Sequence, residues 1–262
     1  MPEGHTIRRL VNDQAADLAA RVVSASTVQP RFAAGAARLD GQVLTETDAW
    51  GKHLFHAFGS GEVLHVHLGL IGTWVRRPID VAPAPSLRLR LAAGEVAWDL
   101  IGPMTCAVIT PDEQAAVVAG LGPDPLRADA DPEVLWRSIH ASTKPIGLLL
   151  MEQDVVAGIG NVYRSELLNI VGIDPRRPGR RVRRDEFDAL WKETVRQLRL
   201  GVRRNAIVTM RTDELPRPAA RLERGEGRYV YKQDRCGRCG TELDLFPLAG
   251  RTTWRCRRCQ PR

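Results

Sequence analysis

Two short cysteine pairs near the end of the chain, Cys236-Gly-Arg-Cys239 and Cys256-Arg-Arg-Cys259, constrain its fold more than any other feature. A CxxC turn bends two thiolates towards one point. Two such turns with sixteen residues between them bring four sulfurs to one tetrahedral ion, and zinc suits that donor set. Two disulfides or a redox CxxC are the alternatives, and both suit an Arg-rich cytoplasmic chain poorly. Four cysteine ligands leave no position open for a substrate water, so the ion is expected to be structural. A ribbon of about 25 residues is too small for a core of its own, and the metal takes the place of one. Arg235, Arg238, Arg251, Arg255, Arg257 and Arg258 surround it, a lining suited to phosphate. The fifth cysteine, Cys106, lies in a strand-like run and reads as a small buried hydrophobe.

The charge distribution agrees with that lining. Residues 1–175 hold 14 basic and 20 acidic side chains, whereas residues 176–262 hold 24 and 11, so the net +7 combines −6 with +13. A basic last third calls for a polyanionic partner, nucleic acid first among them. A solvated Arg-rich surface is the plainer alternative, since only four of the 38 basic residues are lysine. No stretch approaches the ~18 apolar residues of a membrane span, and the N-terminus has no secretory pattern. The expectation is a monomeric cytoplasmic protein, reaching the nucleoid through DNA.

Hydrophobic periodicity divides the chain. Ile7, Val11, Ala15, Leu18 and Val22 recur at helical spacing, predicting a helix over 7–22. From about 41 to 110 the period becomes two, as in Leu64, Val66 and Leu68 or Leu87, Leu89 and Leu91, with turns at Gly59–Gly61 and Gly94-Glu95. This is an N-terminal β-sandwich with flanking helices, residues 1–121. A proline-rich linker follows over 122–132. Helices are expected at 133–140, 145–155, 161–171 and 185–201, within a helical domain of 133–225. Segment 211–228 has little periodicity and reads as a mobile loop. The zinc finger occupies 226–262.

Three separated segments share a pattern. They are Pro2-Glu3-Gly4-His5, then Asp154 through Gly158-Ile-Gly160-Asn161-Val-Tyr163-Arg-Ser-Glu166, then the four-cysteine ribbon with Arg251-Thr-Thr-Trp before Cys256. Together, in this order and over the whole chain, they resemble the formamidopyrimidine-DNA glycosylase/endonuclease VIII family. The resemblance implies an α+β multidomain fold: a β-sandwich domain, a helix-two-turns-helix domain and a zinc finger. It implies a DNA glycosylase and abasic-site lyase of base-excision repair, acting on damaged double-stranded DNA. Members beginning Pro-Glu-Gly tend to take oxidised pyrimidines, so pyrimidine preference is expected, with an oxidised-purine preference as the alternative. A non-catalytic DNA-damage-binding protein, or a zinc-ribbon transcription or RNA factor, would also explain the basic ribbon. The last leaves the first 130 or so residues without a role.

The residues carry chemistry of their own. Cleaving a strand at an abasic sugar through an imine needs an amine with a usable free-base fraction. The side chains of Lys52, Lys144, Lys192 and Lys232 have a reference pKa of ~10.4, against ~7.7–8.0 for an α-amino group. Removal of Met1 would expose the secondary amine of Pro2, which forms an iminium without further proton loss. A mere helix-start proline is the alternative. By resemblance Glu3 is the general acid/base, though a first-turn acid also suits the helix dipole. Lys52 matches a hairpin lysine that contacts phosphate near the lesion; a solvated strand lysine is the bland reading. Gly158 and Gly160 let backbone approach a phosphate at a helix N-terminus, and Asn161 adds a side-chain donor. Arg251 matches the zinc-finger arginine that clamps phosphate, and Tyr231 matches a phosphate-contacting tyrosine. The chain is a few residues shorter than the pattern between Tyr231 and Cys236. A base must be everted before its glycosidic bond can be reached, and Leu70, with Ile71, is placed to fill the gap. A buried turn leucine is the alternative reading.

Overall fold

Eight strands turn the first 110 residues into one antiparallel sheet, ordered β5-β7-β6-β1-β2-β3-β4-β8. In chain order they are β1 (Val22–Ser26), β2 (Gln42–Trp50), β3 (His53–Phe58), β4 (Val63–His67), β5 (Thr73–Pro78), β6 (Leu87–Ala93), β7 (Val96–Ile101) and β8 (Thr105–Ile109). The chain is seen here as a computed structural model describing residues 2–223 and 225–261. It separates into two compact units between Gly120 and Leu121.

β1 joins the two halves of the sheet: Val22 and Val23 pair with β2, and Ser24–Ser26 with β6. Leu54, Leu64 and Val66 from one half and Leu89, Leu91 and Trp98 from the other share a single core cluster. The sheet therefore wraps that core from two sides, as a sandwich does. Helix α1 (Gly4–Leu18) adds Ile7, Val11 and Leu18 to it. The expected 7–22 span is displaced. Ala20 takes a positive φ of 59° and its N–H bonds Leu44 O, so the helix stops and the chain turns into β1. Val22, counted on the helix's apolar face, is an exposed strand residue. Helix α2 (Ala33–Leu39) covers β1, and α3 (Pro111–Ala119) starts in a reciprocal cap between Thr110 and Glu113.

Alternation along the strands marks the core face but not solvent on the other. Val63 and His65 are buried too, and Arg90 is buried with its guanidinium on Asp99 at 2.7 and 2.9 Å.

The second unit packs α4 (Pro132–His140), α5 (Ile146–Leu149), α6 (Asn161–Val171) and α7 (Arg184–Arg204) around Ile139, Leu149, Tyr163, Leu167, Phe187 and Leu198. The helix expected over 145–155 shrinks to α5. The Gln153 side chain bonds Met151 O, Ile159 O and Gly158 N, and those bonds hold a turn where the sequence favours helix. α6 ends at Gly172, φ 76°, a left-handed cap. Segment 211–228 contains short 3₁₀ turns at Thr212–Glu214 and Ala219–Arg221, and Arg224 lies outside the described residues. The hairpin of β9 (Leu243–Leu248) and β10 (Arg251–Cys256) forms the ribbon, with a small core of Tyr229, Val230, Leu243 and Trp254 beside the cysteines. No helix among the described residues is long and apolar enough to cross a membrane.

Candidate active site and nucleic-acid interface

In the first unit, helix α1 fixes where the N-terminus goes. Its anchors climb β2 in order. Gln14 bonds His56, across from Thr47; Thr47 reaches Val11 O; Arg8 holds Asp48 at 3.2 Å and Ala49 O at 2.6 Å. The start of α1 therefore lies at the far end of β2, where Gly51-Lys52 turns into β3. Glu3 is the N-cap residue, in extended backbone (φ −123°, ψ 179°), and is completely buried. Pro2 precedes that cap, half-buried, two residues before the first helical residue Gly4 rather than in the first turn. Met1 lies outside the described residues.

The same sheet end gathers two more candidates. His53 pairs with His67 across β3 and β4, and the loop Leu68–Gly72 follows directly. Leu70 is 58% exposed and Ile71 85%, so the buried-turn reading of Leu70 does not hold. The loop is shaped by Gly69, φ 69°, and closed by a Gly72 N–H bond to Leu68 O. Met104, 70% exposed, stands beside it: its N–H bonds His67 O, and its Cβ would lie 2.9 Å from a Cβ on Gly69. Two loops thus present three apolar side chains to solvent together. The sequence reading passed over Met104 because the run around Cys106 looked like plain strand.

Three imidazoles cluster on β3 and β4, two of them, His53 and His67, within reach of the Lys52 charge. His53 stacks on His65 at 5.1 Å and tilts against His67 at 4.9 Å, while His53 Nδ1 and His65 Nε2 share a hydrogen bond of 2.8 Å. Burial first, then the His67, His65 and Lys52 charges, pushes His53 down to about 3. Burial and His67 bring His65 to about 4, and burial with the Lys52 charge lowers His67. Near neutrality the stack is therefore uncharged, and Lys52 is the cation at this edge of the hairpin. His65 and His67 are strand residues, as expected from the sequence. Cys106 is only partly buried, packed against the core as a small hydrophobe rather than within it, and desolvation pushes its thiol up to about 12.

In the second unit, the turn before α6 behaves as its glycines suggest. Gly158 has φ 92°, and Gly160 is the extended N-cap residue. Asn161 opens the helix but is only 5% exposed, and its Nδ2 donates to Thr252 O at 3.1 Å. Arg251 begins β10 opposite Leu248, half-buried. The Tyr231 ring tilts against Trp254 at 4.7 Å, with the Arg228 guanidinium 5.5 Å from its centre. The arginines near the ribbon are not one phosphate-facing set. Arg255 is buried between Asp174 at 3.1 Å and Asp244 at 3.2 Å, Arg257 pairs with Asp244, and Arg238 caps Asn169 O. These brace the ribbon.

The four cysteine sulfurs lie within 4.8 Å of one another, with Cys239–Cys256 at 3.4 Å and Cys236–Cys259 at 3.9 Å. All four cysteines are free of disulfides. Four thiols converging at that spacing form a donor set that fits one tetrahedral soft or borderline metal ion.

Two buried charges on α6 had no role in the sequence reading. The Glu166 carboxylate accepts from three consecutive amides, Tyr229 N at 2.7 Å, Val230 N at 2.9 Å and Tyr231 N at 2.7 Å, and also from the Thr209 hydroxyl. Arg164 is completely buried among oxygens of the ribbon. Both stood in the shared 158–166 pattern without a role, in a helix whose neighbours Tyr163, Leu167 and Leu168 are core residues, where a charge must find partners.

Comparison with known proteins agrees with this architecture. Residues 1–99 match the formamidopyrimidine-DNA glycosylase N-terminal domain, and residues 121–213 match the H2TH domain of the same glycosylase. Endonuclease 8 1 of Mycobacterium tuberculosis is 45% identical, with 99% of this chain and all of that protein covered. The chain belongs to the formamidopyrimidine-DNA glycosylase/endonuclease VIII family. Endonuclease 8 2 of Mycobacterium bovis is 34% identical, again with 99% of this chain and the whole of that one covered. A crystal structure of the Lactococcus lactis glycosylase with abasic-site DNA shares the fold, with TM-score 0.82, 21% identity, and 99% of this chain and all of that one covered. As a family member the chain is a DNA repair glycosylase with abasic-site lyase activity. The non-catalytic damage-binder and the zinc-ribbon factor are thereby set aside: the match spans the N-terminal domain, which neither reading uses.

Proposed function

We propose that this enzyme removes oxidised bases, pyrimidines in preference to purines, through a Schiff base on Pro2, and cuts the strand by β,δ-elimination. The observation that carries the reading is the pairing of a half-buried Pro2 with a fully buried Glu3 at the helix cap, at the sheet end that also holds Lys52 and Leu70. With Met1 removed, the Pro2 nitrogen attacks C1′ of an everted nucleotide. The N-glycosidic bond breaks, and the base leaves with a proton. The iminium formed at C1′ acidifies the C2′ hydrogens. Loss of one expels the 3′ phosphate, and a second elimination expels the 5′ phosphate. Glu3, in a dry setting beside the amine, moves protons during base loss and sugar-ring opening. Lys52 contacts phosphate from the first unit. Gly158, Asn161, Tyr231 and Arg251 do so from the second. Leu70 occupies the place of the everted base. The Pro2-Glu3-Gly4 start and the endonuclease 8 relatives support the pyrimidine preference.

Cys236, Cys239, Cys256 and Cys259 hold one Zn²⁺, which supplies the ribbon with the cross-link a small core lacks. We also propose that the enzyme acts as a monomer, with the divisions 1–121, 133–225 and 226–262 given above. Borohydride trapping on a duplex with one abasic site tests the chemistry. A covalent adduct mapping to Pro2, absent in Pro2→Gly and in protein retaining Met1, is expected. No adduct from protein that starts at Pro2 and binds the duplex would overturn the Schiff-base route. A panel of lesions tests the preference, and 8-oxoguanine opposite cytosine as best substrate would refute it.

A further inference from the structure

Helix α6 sends a buried guanidinium to the turn end of the ribbon hairpin. Arg164 is completely buried, and its terminal nitrogens reach backbone and side-chain oxygens of the ribbon and of Asn161. Nη1 donates to Leu248 O at 3.1 Å and reaches Gly147 O at 3.4 Å. Nη2 donates to Thr253 Oγ1 at 2.7 Å, reaches Thr252 O at 3.4 Å and bonds Asn161 Oδ1. Leu248 is the cross-strand partner of Arg251, and Thr252 and Thr253 are the two residues after it. The guanidinium therefore holds the residue opposite Arg251 and the two residues beyond it. The Thr252 carbonyl, which stands opposite Pro247 in the register, accepts from Asn161 and lies 3.4 Å from Arg164 Nη2.

The same guanidinium orients Asn161. With Oδ1 on Arg164 and one Nδ2 hydrogen on Thr252 O, the amide cannot flip without setting donor against donor. Its second Nδ2 hydrogen stays directed by that frame. Burying a guanidinium is costly, and a leucine or methionine would fill this position of the helix without the penalty. What the arginine adds is a rigid planar fork that reaches two strands and one side chain together.

We infer that Arg164 is a positioning residue that sets Asn161 and Arg251 in register as one phosphate grip. The inference rests on the functional reading above, in which both residues contact DNA. Arg164 touches no substrate itself. Without it the hairpin tip and the Asn161 amide lose their common reference, and DNA binding weakens while the chemistry at Pro2 is unchanged once DNA is saturating.

The test uses zinc-loaded full-length protein and a duplex containing a tetrahydrofuran abasic analogue. Arg164→Met should raise Kd at least tenfold, with zinc content unchanged. The slope of log Kd against log salt should fall by about 1, the equivalent of one phosphate contact. Trapping yield at saturating abasic DNA should stay within twofold of wild type. Arg251→Ala alone should weaken binding, and combining it with Arg164→Met should give clearly less than the product of the two separate effects. Thr253→Val, which removes one acceptor and keeps the shape, should raise Kd about threefold and show the same non-additivity. It carries the test if Arg164→Met loses its metal. Wild-type Kd and salt slope in a zinc-loaded Arg164→Met protein, or full additivity with Arg251→Ala, would overturn the inference. Wild-type protein that ignores the duplex would sink the enzyme reading itself, and that lane is read first.

Discussion

Glu166→Gln removes a single negative charge and almost no volume, yet it should cost about 4 kcal/mol. In the native protein one carboxylate oxygen accepts from Val230 N and Tyr231 N, the other from Tyr229 N and the Thr209 hydroxyl. A glutamine oxygen can keep the first pair. Its NH₂ must then face the second. Thr209 can adapt, since its hydroxyl also lies 3.4 Å from Gly227 O and can donate there while accepting from the new amide. The Tyr229 N–H cannot adapt and is left buried against a donor. Hydrogen bonds to a charged group contribute about 1.5–3 kcal/mol, against about 1 for neutral pairs, so the surviving bonds weaken by roughly 2 kcal/mol together. The orphaned N–H adds about another 2 kcal/mol. At about 2–4 °C per kcal/mol for a unit of this size, the midpoint should fall by roughly 10 °C. Urea unfolding of zinc-loaded protein, followed by tryptophan fluorescence and zinc release, measures the effect. A loss below about 1 kcal/mol with zinc retained would refute the reasoning, because the three amides would then have found other acceptors.

Other perturbations separate folding from function. Leu70→Ala should leave stability within about 0.5 kcal/mol, because the side chain is 58% exposed, yet slow base removal from duplex DNA; equal turnover would remove Leu70 from the site. Burial holds His53 near 3 and His56 and His65 near 4, below their unfolded value of 6.5. The unfolded chain therefore binds the extra protons. Stability from these groups is present above pH 6.5 and is lost as the pH falls towards 4. A urea midpoint unchanged between pH 7 and pH 5 would contradict this. Chelation should abolish DNA binding before it unfolds the β-domain, since the ribbon depends on its metal and the sheet has its own core. Simultaneous loss of both would show that the sheet needs the ribbon.

Local chemistry was legible where a few neighbouring residues settle the matter. The cysteine spacing brought four sulfurs together, the glycines before Asn161 marked the start of α6, and Gly94-Glu95 gave its hairpin turn. Errors arose where a distant group competes with local preference. Ala20 and its bond to Leu44 O end α1 early, and the Gln153 side chain converts an expected helix into a turn. Arg255 looked like a ligand for phosphate and is instead buried against Asp174, 81 positions away.

What the sequence determined by itself was the set of devices whose partners lie within one turn or one short spacing: the metal knuckles, the strand alternation and the glycine turn before α6. Only the tertiary structure decided which charged residues face inward. Burial of a charge is tolerated when oxygens or amides from remote segments converge on it, as Leu248, Thr252 and Thr253 do on Arg164, and as residues 229–231 do on Glu166. That convergence depends on the folded path of the whole second unit, and no window of sequence contains it.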